Sequence, residues 1–131
     1  MKVGTYRYGD AMDIIVPLTE NYEFKRVYAR GKSVVRPTVV VYCMRKNGPG
    51  PRVGITASKK IGNAVTRNRA RRIIREAFRI FDHDLRSCTE KRYDFIFVAR
   101  TQTASLKSGK ILQLMNKKLM PLVVPGLKKN G

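Results

Sequence analysis

Residues 52–81 read R-V-G-I-T-A-S-K-K-I-G-N-A-V-T-R-N-R-A-R-R-I-I-R-E-A-F-R-I-F. The second half of this stretch has apolar residues at three- and four-residue intervals, which predicts an amphipathic helix packed against a core. The core-facing residues are Ala70, Ile73, Ile74, Ala77, Phe78 and Phe81. The opposite side carries arginine almost alone, namely Arg67, Arg71, Arg72, Arg75 and Arg79. The fold is therefore expected to form around one helix with an apolar face and a cationic face.

Positive charge is concentrated around this predicted helix. Between Arg45 and Phe81 there are eleven Lys or Arg residues and one acid, Glu76. Arginines four residues apart repel one another in an isolated helix by roughly 0.2–0.5 kcal/mol per pair. Solvated helix faces normally intersperse both signs of charge, whereas this face is nearly single-signed. We therefore expect it to bind a polyanion.

The composition of the whole chain points to the same kind of partner. The 131 residues include 28 Lys or Arg and 9 Asp or Glu, a formal net charge of +19. The length fits one domain with one modest core, and nucleic acid is the first candidate for the polyanion. A membrane is disfavoured because the sequence has no run of about 18 apolar residues and its start lacks the apolar centre of a signal peptide. We predict a cytoplasmic protein with a disordered leader (1–11), a single RNA-binding domain (12–122) and a basic tail (123–131).

A short helix is predicted near the start of the domain. Asn21 is a possible N-cap and Gly31 a C-terminal stop. Between them, Phe24, Val27 and Tyr28 recur at helical spacing. Such a stripe usually faces a core, so spacing alone favours a core position for all three side chains.

Runs of β-branched and aromatic residues predict the strands. They lie in residues 33–45, where Pro37 divides the run, in residues 52–58 and in residues 93–100. We expect a hairpin between the first two runs and a parallel pairing of the last two across the arginine helix. A last amphipathic helix is predicted over residues 105–122. The resulting order, α-β-β-β-α-β-α, indicates an α+β two-layer sandwich.

Few residues could carry catalysis. Protein nucleases usually assemble acids around metal ions or use a histidine acid–base pair. The only histidine, His83, lies between Asp82 and Asp84 near the expected helix end, where a solvated cap is the favoured interpretation. Cys43 and Cys88 have no zinc-binding spacing and are predicted to be reduced, half-buried thiols. We therefore predict no catalytic residue, no metal site and no cofactor bound by the protein alone.

The segment S-K-K-I-G-N-A-V-T-R-N-R-A-R-R-I-I-R-E-A-F-R, residues 58–79, resembles the signature of the protein subunit of bacterial ribonuclease P. The resemblance extends to the first predicted helix, where Phe24, Val27 and Gly31 match the family's D-F-x-x-V-x-x-x-G stretch. It also includes the strand over residues 94–100, which is similar to the family's last strand. The resemblance thus covers the chain from the first predicted helix to the last.

The resemblance implies a ribonucleoprotein that removes the 5′ leader of precursor tRNA. In the family the RNA subunit and its bound Mg²⁺ carry the hydrolysis, so the chain is expected to be an endoribonuclease subunit without catalytic residues of its own. One catalytic RNA per protein, no required protein partner and a bacterial cytoplasm are implied as well. The family also has a left-handed crossover between the strands that flank the arginine helix, whereas general rules favour a right-handed one.

Two RNA-binding surfaces are implied. Residues matching the family's contacts with the catalytic RNA are Lys59, Lys60, Arg67, Asn68, Arg69, Arg71, Arg72 and Arg75. Residues matching the cleft for the single-stranded leader are Phe24, Tyr28, Val40 and Tyr42. Arginine forks suit phosphate oxygens, and aromatic side chains stack on bases of any sequence for about 1–3 kcal/mol per base. The resemblance therefore moves Phe24 and Tyr28 from core to cleft and leaves Val27, Val39 and Val41 to the core.

Other functions share some of these features. A ribosomal or RNA-chaperone protein, the main alternative, would share the charge, size and fold class but would need neither the R-N-R register nor an aromatic cleft. A helix-turn-helix DNA-binding regulator would need a second short helix before the basic one. An autonomous nuclease would need clustered acids to hold metal ions.

Overall fold

The computed structural model of the chain describes residues 6–8, 13–18, 20–46, 52–88 and 92–124. The strands are β1 Tyr6–Tyr8, β2 Asp13–Pro17, β3 Lys32–Val35, β4 Val39–Lys46, β5 Arg52–Thr56 and β6 Arg92–Ala99. The helices are α1 Asn21–Arg30, α2 Ala64–Cys88, α3 Ser108–Leu114 and α4 Met120–Val123. The predicted α+β class is confirmed.

The sheet has the order β1-β2-β5-β6-β4-β3. β6 pairs parallel with β5, as predicted, and antiparallel with β4. The predicted hairpin between β4 and β5 is wrong, because β6 lies between them. Phe95, Ile96 and Phe97 of β6 are all fully buried, and a strand with apolar side chains on both faces belongs in the interior of a sheet.

Two strands before α1 were not predicted. β2 pairs parallel with β5, and β1 pairs antiparallel with β2. Tyr6–Tyr8 thus forms a strand inside the leader that was expected to be disordered. Residues 1–5 and 9–11 of that leader lie outside the described residues, as do residues 125–131 of the predicted tail. The division of the chain into leader, domain and tail stays a prediction.

The main core lies between the sheet and α2. Phe78 of α2 sits edge-on against Phe95 and Phe97 of β6, with ring centroids 5.3 and 5.5 Å apart. The predicted apolar stripe of α2 is buried except for Ile73, which is half-buried. The last helix covers the same core through Ile111 and Met115, which are both fully buried.

The last helical segment is not a regular α-helix throughout. A π-helical segment, Met115–Leu119, joins α3 to α4. Pro121 has no N–H to donate to the preceding turn, so the regular α-helical hydrogen-bond ladder cannot continue through it. The predicted helix over residues 105–122 is thus confirmed from Ser108, after a separate 3₁₀ turn, Thr103–Ser105, and it ends at Val123.

α1 packs on the face of the sheet opposite α2, against β4 and β6. Val27 is fully buried there, which confirms its predicted core role. The helix ends at Gly31, where an added Cβ would lie 2.6 Å from the carbonyl oxygens of Val27 and Cys43. The two-layer description therefore applies to α2 and the last helix, whereas α1 forms a partial third layer. The handedness of the β5-α2-β6 crossover stays a prediction from the resemblance.

The two cysteines should differ sharply in reactivity. Both are free, as predicted, but Cys43 is buried and Cys88 is exposed. Burial raises the pKa of the Cys43 thiol from 9.0 to about 11, although the charge of Lys32 partly opposes the shift. We expect a thiol reagent such as Ellman's reagent to modify one cysteine rapidly in the native protein and the second only on unfolding.

The raised pKa of Cys43 also makes the stability of the folded protein depend on pH. The folded state keeps the Cys43 proton while the unfolded chain loses it, so this contribution to stability is lost as pH rises from about 9 towards 11.

The Cys88→Ser variant is the control for the thiol-reagent test, since it should show no rapid reaction with the reagent at neutral pH. Rapid reaction in that variant would contradict the buried position of Cys43.

Candidate RNA-binding site

A tight turn places two lysines immediately before α2. The turn is a 3₁₀ segment, Lys59–Ile61, in which Ser58 Oγ accepts a hydrogen bond from the Lys60 backbone N–H at 3.3 Å. Gly62 follows with φ +147°, a conformation that favours glycine. Lys59 and Lys60 are both exposed, so their ammonium groups are available to an anion.

The first turn of α2 is capped by a side chain. Asn63 Oδ1 accepts a hydrogen bond from the Thr66 backbone N–H at 2.9 Å, the usual arrangement of an asparagine N-cap. The partial positive charge of the helix N-terminus lies beside the two lysines of the preceding turn. This end of α2 therefore combines fixed backbone dipoles with mobile cationic side chains.

The arginines of α2 fall into two groups. Arg69 and Arg72 are exposed with Asn68, whereas Arg67 and Arg71 are half-buried along the flank of the helix. The half-buried pair is held locally, because Arg67 Nη1 donates to the Gly62 carbonyl oxygen at 3.1 Å and Arg71 Nη1 donates to Asn68 Oδ1 at 3.2 Å. The predicted spread of arginine over one outer side is thus correct for Arg72 and only partly correct for Arg67 and Arg71.

Arg75 and Arg79 extend the half-buried group along α2. Together with Lys59, Lys60, Arg67, Asn68, Arg69, Arg71 and Arg72 they line the turn and α2, and we call this set the basic helix surface. Glu76 is the one exposed acid between Ala64 and Phe81. Guanidinium groups bind phosphate oxygens through two parallel hydrogen bonds. The surface is therefore chemically suited to a nucleic-acid backbone.

An aromatic cluster lies on the other face of the sheet, beside α1. The Tyr28 and Tyr42 rings meet edge to face with centroids 4.8 Å apart, and the Phe24 and Tyr28 centroids are 6.4 Å apart. Phe24 lies over Gly54, where an added Cβ would come within 2.6 Å of its ring. The sequence-predicted cleft residues Phe24, Tyr28 and Tyr42 are thus brought together on one surface.

The fourth predicted cleft residue, Val40, lies under this cluster. It is 8% exposed and is paired in the sheet with Val35 on one side and Val98 on the other. Val98 is in turn paired with Thr56, so these side chains form one row across the face of the sheet. Val40 therefore contributes the floor of the cleft rather than an open contact surface.

The cleft and the basic helix surface meet at one end of the sheet. β5 ends at Thr56, and the basic turn begins three residues later at Lys59. Burial and the neighbouring Tyr42 raise the pKa of Tyr28, and a hydrogen bond with the Thr56 side chain partly opposes the shift. Tyr28 thus remains an uncharged phenol at neutral pH and does not repel a phosphate backbone.

A partly buried ion-pair network beside the cleft, on the same face of the sheet, was not predicted. Arg52 donates from Nε to Asp94 Oδ1 at 3.2 Å and from Nη2 to Asp94 Oδ2 at 3.0 Å. The same guanidinium also donates from Nη1 to Glu23. The network joins α1, β5 and β6, and so fixes α1 on the sheet. Burial lowers the pKa of Arg52, but its hydrogen bonds and the charges of both carboxylates more than offset this and raise it.

His83 does not lie at a helix end. It is exposed within α2, while its neighbour Asp82 is buried and accepts a hydrogen bond from Arg86 at 3.0 Å. Among the residues that the structure describes, no three His, Cys, Asp or Glu side chains are grouped closely enough to hold a metal ion. Over the same residues, no helix is both long and apolar enough to cross a bilayer.

Sequence comparison decides the family. The sequence profile described as Ribonuclease P matches residues 15–122. The chain belongs to the ribonuclease P protein family. The Ribonuclease P protein component of Thermoanaerobacter sp. (strain X514) is 42% identical over 106 residues, which cover 81% of this chain and 88% of that protein. That of Clostridioides difficile (strain 630) is 38% identical over 86 residues, which cover 66% of this chain and 73% of that protein.

Solved ribonuclease P proteins share the fold. The Staphylococcus aureus RNase P protein at 2.0 Å aligns with a TM-score of 0.66 and 32% identity, covering 82% of this chain and 95% of that one. A second Staphylococcus aureus structure, of a mutant described as having defective mRNA degradation activity, aligns with the same TM-score and identity and covers 82% and 88%. The Thermotoga maritima RNase P protein aligns with a TM-score of 0.61 and 22% identity, covering 86% of this chain and 98% of that one. At this identity the likeness supports the fold alone.

Family membership confirms the function predicted from the resemblance. This ribonuclease P protein is a component of the ribonucleoprotein that processes the 5′ ends of tRNA. An RNA partner follows from that membership. The individual roles of the basic helix surface and of the aromatic cleft stay predictions at residue level.

Proposed function

We propose that this chain supplies RNA binding, and no catalytic group, to ribonuclease P in the bacterial cytoplasm. One protein binds one catalytic RNA through the basic helix surface, and the RNA subunit with its Mg²⁺ carries out hydrolysis. The single-stranded 5′ leader of the precursor tRNA lies in the aromatic cleft. The protein itself holds no cofactor in this scheme.

The observation that carries this proposal is the meeting of the two surfaces at one end of the sheet. A leader in the cleft beside Tyr28 and Tyr42 would lie near Thr56, three residues from the basic turn. A catalytic RNA bound to α2 would then lie next to the junction between leader and mature tRNA. A ribosomal or RNA-chaperone protein needs no such juxtaposition.

Complementation in a bacterium tests the proposed function. The host carries its own ribonuclease P protein gene under a repressible promoter, and this chain is expressed while that gene is silent. We expect precursor tRNAs with uncut leaders to accumulate in the empty-vector control and to disappear when this chain is present. Persistent precursors in cells that contain the folded protein would contradict the proposal and favour a ribosomal or chaperone role.

The leader site gives a separate prediction. Replacing Tyr42 by Ala removes one stacking platform and the edge-to-face partner of Tyr28. We expect affinity of the protein–RNA holoenzyme for precursor tRNA to fall about tenfold, since a stacked base contributes about 1–3 kcal/mol. Affinity for mature tRNA should stay unchanged. The measurement is the dissociation constant of each tRNA in Ca²⁺, in which cleavage is slow.

A matched control is available on α1. Tyr22 is 64% exposed and lies outside the aromatic cluster, so Tyr22→Ala removes the same side chain without touching the cleft. This variant should bind both tRNAs as the parent protein does. Equal weakening of precursor and mature tRNA by Tyr42→Ala would count against leader binding in the cleft.

A further inference from the structure

A second cationic site lies at the other end of the sheet. A pocket of about 260 Å³ is formed by residues from α1, β3, β4, β6 and α4. Its lining residues are Arg30, Lys32, Cys43, Met44, Arg45, Tyr93 and Leu122. The predicted RNA-binding surfaces use none of these side chains.

The pocket and the aromatic cleft lie on opposite faces of the sheet. Side chains alternate along β4, so Cys43 and Arg45 face the side opposite Tyr42. Their sheet partners Phe95 and Tyr93 likewise alternate with Ile96, the partner of Tyr42. The sheet therefore separates a nucleotide in the pocket from one in the cleft.

The rim of the pocket is cationic, and none of the acids that the structure describes pairs with it. Arg30, Lys32 and Arg45 are all exposed, and no ion pair joins any of them to a carboxylate within the described part of the chain. Arg30 also lies in the last turn of α1, where a cation interacts favourably with the helix dipole. That role does not apply to Lys32 and Arg45, which are on strands. Three unpaired cations around one opening favour an anion.

The floor of the pocket is apolar and preformed. Cys43 and Tyr93 are 4% and 7% exposed, and Leu122 is half-buried. Tyr93 is fixed in place because its hydroxyl donates to the Val123 carbonyl oxygen at 2.7 Å. The volume is just below the ~300–1,000 Å³ typical of pockets for drug-sized ligands. An apolar floor of this size suits one planar ring system.

We propose that this pocket binds a nucleotide, with the phosphate on the rim of Arg30, Lys32 and Arg45 and the base on the floor of Cys43, Tyr93 and Leu122. The nucleotide is either a free mononucleotide or an unpaired nucleotide within an RNA. Both sources present the same chemistry, a planar base joined to an anion. The site is separate from the basic helix surface and does not depend on the proposed function.

Methyl-labelled leucine provides a local probe in the full-length protein. Leu122 lines the pocket, whereas Leu119 is 2% exposed in the main core and serves as the internal reference. We expect AMP to shift the Leu122 methyl resonances saturably and to leave those of Leu119 unchanged. Adenosine and inorganic phosphate should each bind more weakly than AMP, because each lacks one half of the recognised group.

Two variants that remove an exposed arginine make the test specific. Arg45→Ala should weaken AMP binding about tenfold, the effect of losing one charge-assisted hydrogen bond. Arg36→Ala, in the exposed turn between β3 and β4, should leave AMP binding at Leu122 unchanged. The absence of a saturable Leu122 shift, an unaltered affinity in Arg45→Ala, or equal affinity for phosphate and AMP would each overturn the assignment.

A single-stranded RNA hexanucleotide distinguishes the two sources. If the natural ligand is an unpaired RNA nucleotide, the hexanucleotide should shift Leu122 at lower concentration than AMP. If it is a free mononucleotide, only AMP should shift Leu122. In either case Arg45→Ala must weaken the response, and a hexanucleotide effect that persists in this variant would assign the binding to another surface.

Discussion

Asp94→Asn is expected to destabilise the protein by about 3 kcal/mol, the low end of the cost of breaking a buried ion pair. Asp94 is fully buried and accepts both an Nε and an Nη2 hydrogen bond from Arg52. The asparagine would carry no charge and would direct an N–H₂ donor at the guanidinium. Arg52 would keep Glu23 as a partner, which limits the loss.

Urea denaturation followed by circular dichroism measures this effect at fixed ionic strength, since urea does not screen the +19 charge. Asp84→Asn is the matched control, because Asp84 is exposed on α2. It should change the free energy of unfolding by no more than about 0.5 kcal/mol. A loss below about 1 kcal/mol for Asp94→Asn would show that the Arg52–Asp94 ion pair between β5 and β6 contributes little to the stability of the fold.

The second large expected effect is a loss of affinity for the catalytic RNA. Replacing Lys60, Arg69 and Arg72 together by Ala removes three fully exposed cations from the basic helix surface. We expect affinity for the catalytic RNA to fall roughly a hundredfold at physiological salt. The plot of log affinity against log salt concentration should become shallower by roughly two to three units, at 0.7–0.9 per lost phosphate contact.

A control variant with the same net charge distinguishes the effect of losing local contacts from the effect of lowering the net charge. Lys107, Lys110 and Lys117 are exposed residues at or near the last helix, and replacing all three by Ala gives the same net charge as the first variant. This control should change the affinity and the salt slope much less. Equal effects of the two triple variants would mean that the RNA responds to overall charge and not to α2.

Local patterns predicted the elements that carry the fold. The spacing of Ile74, Ala77, Phe78 and Phe81 predicted α2 because a long amphipathic helix repeats its signal over several turns. The run of β-branched and aromatic residues over 93–100 predicted β6 in the same local way. The resemblance then placed the cleft residues, whereas spacing alone assigned Phe24 and Tyr28 to the core.

Long-range pairing could not be predicted in the same way. The insertion of β6 between β4 and β5 depends on contacts far apart in sequence, and so does the Arg52 network, whose partners are 29 and 42 residues away. A local signal for β2 existed in the β-branched run of Ile14, Ile15 and Val16. The pocket at Arg45 and Tyr93 also arises only when separate elements meet.

The measurement that tests the central claim most directly is cleavage of precursor tRNA at low Mg²⁺. Three reactions are compared: a bacterial ribonuclease P RNA alone, the same RNA with this protein, and the protein alone. The proposed function predicts that the protein stimulates cleavage only when the RNA is present. Cleavage by the protein alone would reveal catalytic residues in this chain, and the absence of stimulation with a competent RNA would contradict its role as the RNA-binding subunit.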